Sequence, residues 1–245
     1  MLKKIFTSKN WYIAAVLLVF LAALAIRFYD LDNPPLDFHA PRQIHSAIIA
    51  RGFYAFMPNH MSGFEHDKAW SFSSELWIEP PIFEYLTAMT YVAAGDAYLW
   101  IPRVYSIVFW SLGALALFLL MRKLSGKSGA LAALIYFLFL PYGIIASRSF
   151  QPDPLMVALM AFSLWALMRW RETHSWKNAL LTGVFIGLAI LVKQVAVFFL
   201  GLAVAAVLLE DMGFKQSIKS LKVWAMAALA LLPVIIYNVY GLFIS

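Results

Sequence analysis

The sequence predicts an all-α polytopic membrane protein with about seven transmembrane helices. The chain of 245 residues is 63% hydrophobic and only 13% charged, whereas soluble domains are about 45–50% apolar and about 25% charged. Its mean hydropathy is +0.77. Its basic residues cluster at the ends of apolar runs, as they do beside membrane spans. This distribution makes a nucleic-acid partner a poor explanation of the net charge of +6. With no cysteine, the chain has neither disulfides nor thiolate metal sites.

Seven apolar segments are candidate spans, because about 20 residues of helix cross a hydrocarbon core of about 30 Å. In chain order they are Trp11–Phe28, Tyr98–Met121, Gly129–Ala146, Pro154–Trp170, Asn178–Val192, Val195–Leu209 and Val223–Phe243.

The fifth and sixth segments form one apolar run that is broken only at Lys193 and Gln194. As one helix the run would be ~48 Å long at ~1.5 Å per residue, too long for a single span. A hairpin at Lys193 instead puts four basic clusters on one side, which the positive-inside rule makes cytoplasmic together with the N-terminus. The clusters are Lys3/Lys4/Lys9, Arg122/Lys123/Lys127, Arg169/Arg171/Lys177 and Lys215/Lys219/Lys222.

A large first outer loop follows the first span, over Tyr29–Ala97. Within it, Arg42–Phe56 and Ile82–Ala94 are predicted to be amphipathic helices along the membrane interface. We expect the first span to be a retained anchor, although the triplet Ala23–Ala25 would also suit a cleaved signal peptide. Residues 1–245 are expected to form one transmembrane module, either a compact seven-span protein or the N-terminal part of a longer one.

Ionisable side chains beside the bilayer are costly and are therefore candidate functional groups. With the predicted topology they collect on the outer face, where several cations and a few carboxylates would suit an anionic, lipid-anchored substrate. A carboxylate among them could act as a general base. The candidates are Asp37, His39, Arg42, His45, Arg51, Glu79, Arg103, Arg148, Gln151, Asp153 and Lys193.

Each candidate also has a purely structural interpretation. Asp37 after two prolines could cap a turn, and Asp153 before Pro154 could begin a helix. Arg103 could extend to the interface, and Lys193 could simply mark a hairpin. Trp70, Trp77 and Trp100 could stack on a sugar or belong to an interfacial aromatic belt. Gly183 and Gly187 form a GxxxG pattern, which predicts close helix packing.

The order of several short motifs resembles the GT-C glycosyltransferases that use lipid-linked sugars. The nearest branch is similar to protein O-mannosyltransferases (glycosyltransferase family 39) and to aminoarabinose transferases of lipid A. The motifs are PPLDFHAPRQIHSAIIARGFY, IEPPIFEYLTAMTYVAAG, IPRVYSI, SRSFQPDPLMVAL and GLAILVKQVAVFF. Family members often place an Asp-Glu pair at the first loop helix, where this chain has Arg42 and Gln43.

The resemblance implies a glycosyltransferase that moves a sugar from a polyprenyl-phosphate donor to a hydroxyl, with inversion. Asp37, the nearest upstream acid, then becomes the candidate base. Glu79 and Lys193 match positions near the lipid phosphate, with Glu79 and His39 as candidate ligands of a divalent metal. The implied partners are the lipid-linked donor and a protein, lipid or glycan acceptor, at the outer face of the plasma (inner) membrane.

Two other functions are compatible with the same sequence. A transporter or flippase of lipid-linked or small anionic substrates would also place charges among its spans. Such proteins usually carry the charges at mid-membrane on broken helices and often contain repeats, and this chain has neither pattern. A non-catalytic, degenerate transferase scaffold is the other alternative, because the family's acidic pair is replaced.

Overall fold

The computed structural model describes residues 8–57 and 79–244, and in that part of the chain every regular element is a helix. The helices are α1 (Ser8–Arg27), α2 (Ala40–Phe56), α3 (Ile82–Ala94), α4 (Trp100–Leu124), α5 (Gly126–Phe139), α6 (Pro141–Ala146), α7 (Asp153–Thr173), α8 (Trp176–Val192), α9 (Ala196–Asp211), α10 (Gly213–Lys219) and α11 (Leu221–Ile244).

Three of the described helices are long and apolar enough to cross a membrane, at Asn10–Arg27, Trp100–Leu124 and Leu221–Gly241. A fourth span is counted if α9 and α10, which are bent by 110°, are taken together. α5 and α8 are apolar but shorter. The chain is therefore an all-α membrane protein, and the predicted total of seven spans stays a prediction.

The predicted third span is divided into two helices at Leu140. α5 ends at Phe139, and Leu140 adopts an extended conformation (φ −58°, ψ 126°) before Pro141 begins α6. A residue that precedes proline avoids the helical region, because its own backbone would collide with the proline ring. The sequence predicts one unbroken span here because the residues around the break are apolar, although Pro141 marks the position of the break.

The chain reverses direction at Lys193, as the hairpin prediction required. Lys193 is extended (φ −155°, ψ 114°) and separates α8 from α9. An ion pair between Lys193 and Asp153 joins the end of α8 to the start of α7. Another between Arg171 and Glu210 joins the ends of α7 and α9. α8 therefore runs antiparallel to α7, and α9 runs parallel to α7.

Close packing of α8 against α11 depends on two glycines. A Cβ atom on Gly187 would lie 2.2 Å from the carbonyl oxygen of Leu229, and one on Gly183 would lie 2.8 Å from that of Met226. Only residues without a side chain allow two helices to come this near. The prediction of close helix packing by the GxxxG pattern is confirmed.

The segment between α1 and α4 contains the two predicted helices, α2 and α3. They pack against each other and against the start of α4 through buried residues that include Ala50, Phe83, Tyr91, Ile101 and Phe150. α2 begins two residues earlier than predicted, at Ala40, while α3 has the predicted bounds. This buried cluster fixes the position of α2 and α3, and therefore of the polar residues of the segment, beside the start of α4.

The two ends of the bundle carry different polar contacts. At one end Lys123 pairs with Glu172, and His174 lies 2.6 Å from Asp211. At the other end, Ser106 near the start of α4 donates a 2.6 Å hydrogen bond to the carbonyl of Ser149. That second end also holds the Lys193 turn and the α2–α3 segment, so the sequence-predicted site residues share one end.

α1 is attached to the bundle by a fully buried arginine, Arg27. Its Nε donates to Ser147 Oγ at 2.7 Å, and one terminal nitrogen donates to the carbonyl of Leu138 at 2.7 Å. The other terminal nitrogen donates to the carbonyl of Ala23 at 3.0 Å within α1. The guanidinium thus exchanges its hydration for three protein acceptors, one within α1 and two at the ends of α5 and α6.

Candidate functional site

Asp37 lies between two buried side chains that orient its carboxylate. Its Oδ1 accepts a 3.1 Å hydrogen bond from Gln43 Nε2 and lies 3.5 Å from a terminal nitrogen of Arg103. Arg103 is 1% exposed, whereas Asp37 is 40% exposed. The hydrogen bond and the ion pair of Asp37 with the described residues both involve Oδ1, so Oδ2 makes neither with them.

Gln43 is a central residue of the site that sequence reasoning noted only as a departure from the family pattern. It is fully buried and also donates to the carbonyl of Phe38 at 2.6 Å. Its Oε1 accepts from the backbone N–H of Phe150 at 3.0 Å. One amide side chain therefore links the Asp37 segment, α2 and the turn before α7.

Two arginines hold the chain that leads from α1 to Asp37. Arg103 donates to the carbonyls of Asp30 and Pro34 at 3.4 and 3.2 Å. Arg148 donates to the carbonyls of Tyr29 and Asp30, the latter at 2.9 Å. Both were predicted as phosphate ligands. In the structure they hold this segment in place, and a direct phosphate contact by Arg103 would require the segment to move.

Arg42 and Glu79 form an ion pair in which both side chains are mostly buried. The pair borders a small cleft of about 10 Å³, with His45 and Glu84 also in its wall. Pro152, which precedes Asp153, contributes to the same wall. The structure thus brings Arg42, His45 and Glu79 together, as predicted, and places the turn before α7 beside them.

Glu84 is a buried carboxylic acid that the sequence analysis did not select. It is 6% exposed, and its Oε1 accepts a 2.7 Å hydrogen bond from the buried Ser46 hydroxyl of α2. Burial raises the pKa of Glu84, an effect that the Ser46 hydrogen bond and the nearby Arg42 charge oppose. A charged residue on the inward face of an otherwise apolar α3 pattern was the signal for this site.

Lys193 and Asp153 form a second polar group at the same end. The Lys193 ammonium lies 2.8 Å from each carboxylate oxygen of Asp153, and both side chains are partly exposed. The interpretation of Asp153 as the helix cap is wrong, because the N-cap of α7 is Pro152 and no side chain forms a capping hydrogen bond there. Asp153 is instead the first helical residue, where a carboxylate is favoured by the helix dipole. An ammonium at a partly exposed turn can exchange its carboxylate partner for a phosphate.

His39 and Gln151 are less favourably placed to contact a ligand. His39 is exposed, has a left-handed backbone (φ 48°), and packs its ring edge on Phe38. Gln151 is 3% exposed and donates to Ser149 Oγ at 2.7 Å. As ligands, both remain predictions.

In the part of the chain that the structure describes, the residues do not fit a protein-bound divalent metal. Glu79 is engaged by Arg42, and the ring of His39 packs against Phe38. Among residues 8–57 and 79–244, no three His, Asp or Glu side chains form a group that could hold an ion. No step of the proposed mechanism is therefore assigned to a metal.

Of the three tryptophans that could stack on a sugar, the structure describes only Trp100. Trp100 is exposed at the start of α4, with its ring centroid 6.2 Å from that of Tyr98. Trp70 and Trp77 lie outside the described residues. Arg51 is exposed on the last turns of α2, beyond the residues that border the cleft.

The fold and the site together define an integral membrane protein with a charged cleft at one end of an apolar helical bundle. Within this class, the chain belongs to the dolichyl-phosphate-mannose-protein mannosyltransferase family, whose model matches residues 78–239, more than half of the chain. It is thus a glycosyltransferase of the GT-C superfamily. The match includes Glu79, Arg103 and Lys193, whereas Asp37 and α2 precede it.

Searches of curated proteins and of solved structures gave no significant match.

Proposed function

We propose that the chain transfers a sugar from a polyprenyl-phosphate donor to an acceptor hydroxyl, with inversion, at the non-cytoplasmic membrane face. Family membership supports the enzyme class. The observation that carries the residue assignment is the exposed carboxylate of Asp37, whose hydrogen bond and ion pair both involve Oδ1 and leave Oδ2 without either. Residues 1–245 act in this proposal as one transmembrane module.

Asp37 is proposed as the general base. Its Oδ2 accepts the proton of the acceptor hydroxyl while that oxygen forms a bond to the anomeric carbon. The bond between the anomeric carbon and the phosphate oxygen breaks, and polyprenyl phosphate leaves. Arg103 and Gln43 both hold Oδ1 of Asp37, so the direction of the carboxylate is fixed before substrate binds.

Lys193 and Arg42 are proposed as the groups that stabilise the leaving phosphate. Each is held by one carboxylate in the structure, Asp153 and Glu79 respectively. The phosphate would replace these carboxylates as partner, and its growing negative charge would be neutralised by cations already in place. His45, at the wall of the same cleft, is a proposed contact of the sugar or phosphate.

The distribution of basic residues between the two ends of the bundle supports the proposed location of the active site. Arg122, Lys123 and Lys127 lie at the end opposite Asp37, as do Arg171 and Lys222. The positive-inside rule makes the basic end cytoplasmic. The proposed reaction therefore takes place at the outer surface of the plasma (inner) membrane.

The test is sugar transfer by purified protein in liposomes that contain labelled polyprenyl-phosphate mannose and a mixture of peptide, lipid and glycan acceptors. Asp37→Asn keeps the size of the side chain and removes the base, so transfer should fall by about 100-fold or more. Asp32→Asn is the matched control, since Asp32 is an exposed acid of the same segment, and it should retain nearly full activity.

Transfer by Asp37→Asn at the wild-type rate would overturn the assignment of the base. If the wild-type protein moved the labelled lipid between leaflets without transferring sugar, the transporter alternative would be favoured. A protein that did neither with this donor would instead support the scaffold alternative or a different sugar, and a panel of donors with other sugars separates the two.

A further inference from the structure

An apolar groove runs along the outside of the bundle between α9 and α11. Its upper part has a volume of about 260 Å³ and its lower part about 340 Å³. Ala205, Leu208, Val223 and Ala227 line both parts, so the two are continuous. α8 forms the floor, because the Gly183 and Gly187 contacts draw it against α11 and leave α9 to one side.

The length of the groove matches one leaflet of a bilayer. Along α9 it extends from Val197 to Leu209, a rise of ~18 Å at ~1.5 Å per residue. Half of the hydrocarbon core measures ~15 Å. A single extended acyl chain, rather than a lipid that crosses the whole membrane, therefore has the right length.

α10 closes one end of this groove and is amphipathic. The chain turns by 110° between α9 and α10, at Gly213, whose φ of +72° suits glycine. Phe214 and Ile218, four residues apart, line the groove. Lys215 and Lys219, also four residues apart, are exposed beside them. α10 thus lies across the end of the bundle with lysines next to the mouth of an apolar groove.

The acidic residues nearby are already paired with other groups. Glu210 and Asp211 at the end of α9 bind Arg171 and His174. Lys222 donates to the carbonyl of His174 at 2.7 Å. Within the described part of the chain no acidic side chain forms an ion pair with Lys215 or Lys219. These two charges are therefore available to an external anion.

We propose that this groove binds one acyl chain of an anionic phospholipid, whose phosphate lies against Lys215 and Lys219. The charge of the two lysines selects an anionic over a zwitterionic headgroup. The groove supplies the apolar contacts that retain the acyl chain of the lipid. The proposed phosphate position at Lys215 and Lys219 lies at the end of the bundle opposite Asp37, while the groove itself reaches Val197 near the Lys193 turn. No residue that lines the groove belongs to the proposed reaction, so the inference does not depend on it.

Native mass spectrometry of the full chain, released from vesicles of equal parts phosphatidylglycerol and phosphatidylcholine, tests this site. The wild-type protein should retain one phosphatidylglycerol with a preference of about tenfold or more. Lys215→Gln combined with Lys219→Gln should bring the ratio close to one. Arg122→Gln combined with Lys127→Gln removes the same charge at the same end, away from the groove, and should keep the preference.

A second variant tests the groove itself. Ala227→Phe fills the space shared by its two parts and should abolish lipid retention, whereas Ala132→Phe on the exposed face of α5 should not. Equal retention of both lipids by the wild type, or an unchanged preference in the lysine variant, would overturn the proposal. So would a dimer of the wild-type chain that Ala227→Phe converts to monomer, since a second copy would then occupy the groove.

Discussion

Asp37 and Glu84 are two carboxylic acids of the segment between α1 and α4, and they lie in opposite environments. Asp37 is 40% exposed and lies 3.5 Å from a buried arginine, Arg103. Glu84 is 6% exposed with a hydroxyl partner, and burial raises its pKa. Active sites often contain two carboxyl groups whose different surroundings give them different roles. Here the exposed acid suits proton abstraction, and the buried one suits a role in holding α3 against α2.

Glu84 predicts a dependence of stability on pH. Because its folded-state pKa is raised, the folded protein binds more protons than the unfolded chain between the unfolded pKa of 4.5 and the higher folded value. Stability should therefore fall as the pH rises through this interval. Glu84→Gln retains an acceptor for Ser46 without the charge, so its thermal unfolding in detergent should vary less with pH and lie higher at pH 8.

Asp96→Asn is the control for this measurement, because Asp96 is an exposed acid in the loop after α3. Its unfolding temperature should follow that of the wild type at every pH. Parallel curves for the wild type and Glu84→Gln would show that the raised pKa does not contribute to stability.

The sequence alone identified some residues of the candidate site and missed others. Asp37, Arg42 and Glu79 could be selected because charge is rare in this chain and their segment leaves a membrane anchor. The pairing of Arg42 with Glu79 could not be read from the sequence, since it depends on how α2 and α3 pack. Gln43 was missed as a site residue because amides are common at surfaces, and only its burial shows that it links three segments.

At the scale of elements, the close contact between α8 and α11 is the most specific packing feature. It depends on Gly187, where an added Cβ would lie 2.2 Å from a backbone oxygen. A backbone atom cannot rotate away as a side chain can, so the helices would have to separate. Packing between membrane helices lacks a hydrophobic driving force and relies on such close approach.

Gly187→Ala should therefore destabilise the protein by about 1–3 kcal/mol, the usual cost of overpacking. Gly201→Ala on α9 is the matched control, because nothing lies within 4 Å of its added Cβ. Alanine favours helix by up to about 1 kcal/mol over glycine, so this control should be neutral or stabilising. Thermal unfolding in one detergent compares the two. Equal unfolding temperatures would contradict the packing argument.

The bounds of the elements were predictable where proline, glycine or charge interrupts an apolar run. The Lys193 turn and the bounds of α3 follow from such signals. The break at Leu140 was missed because the residues around it are apolar throughout, and apolar content was the criterion for a span. α10 was noted only as a basic cluster, since seven residues are too few to show helical periodicity.

At the scale of the whole molecule, the polar groups are divided between two ends. Lys123, Arg171 and His174 have their acidic partners at one end, while Asp37 and Lys193 lie at the other. The sequence predicted this division from basic clusters alone. It could not predict which helices are adjacent, because apolar faces in a lipid-exposed bundle carry little information about their partners.

The absence of cysteine allows a direct test of orientation. Single cysteines at Ala94 and Gln194, both exposed at the Asp37 end, should react with a membrane-impermeant maleimide applied to intact cells. A cysteine at the exposed Ser128, at the other end, should react only after the membrane is permeabilised. Labelling in the reverse pattern would place the proposed reaction in the cytoplasm and overturn its location.

Arg27 bears on how the chain is assembled during synthesis. Its partners at Leu138 and Ser147 lie 111 and 120 residues further along the chain. When α1 first enters the membrane, the ribosome has yet to make the acceptors that bury this charge. The guanidinium must stay at the aqueous surface until α5 and α6 arrive. α1 therefore reaches its final position in the bundle late in biogenesis, although it is the first helix to be translated.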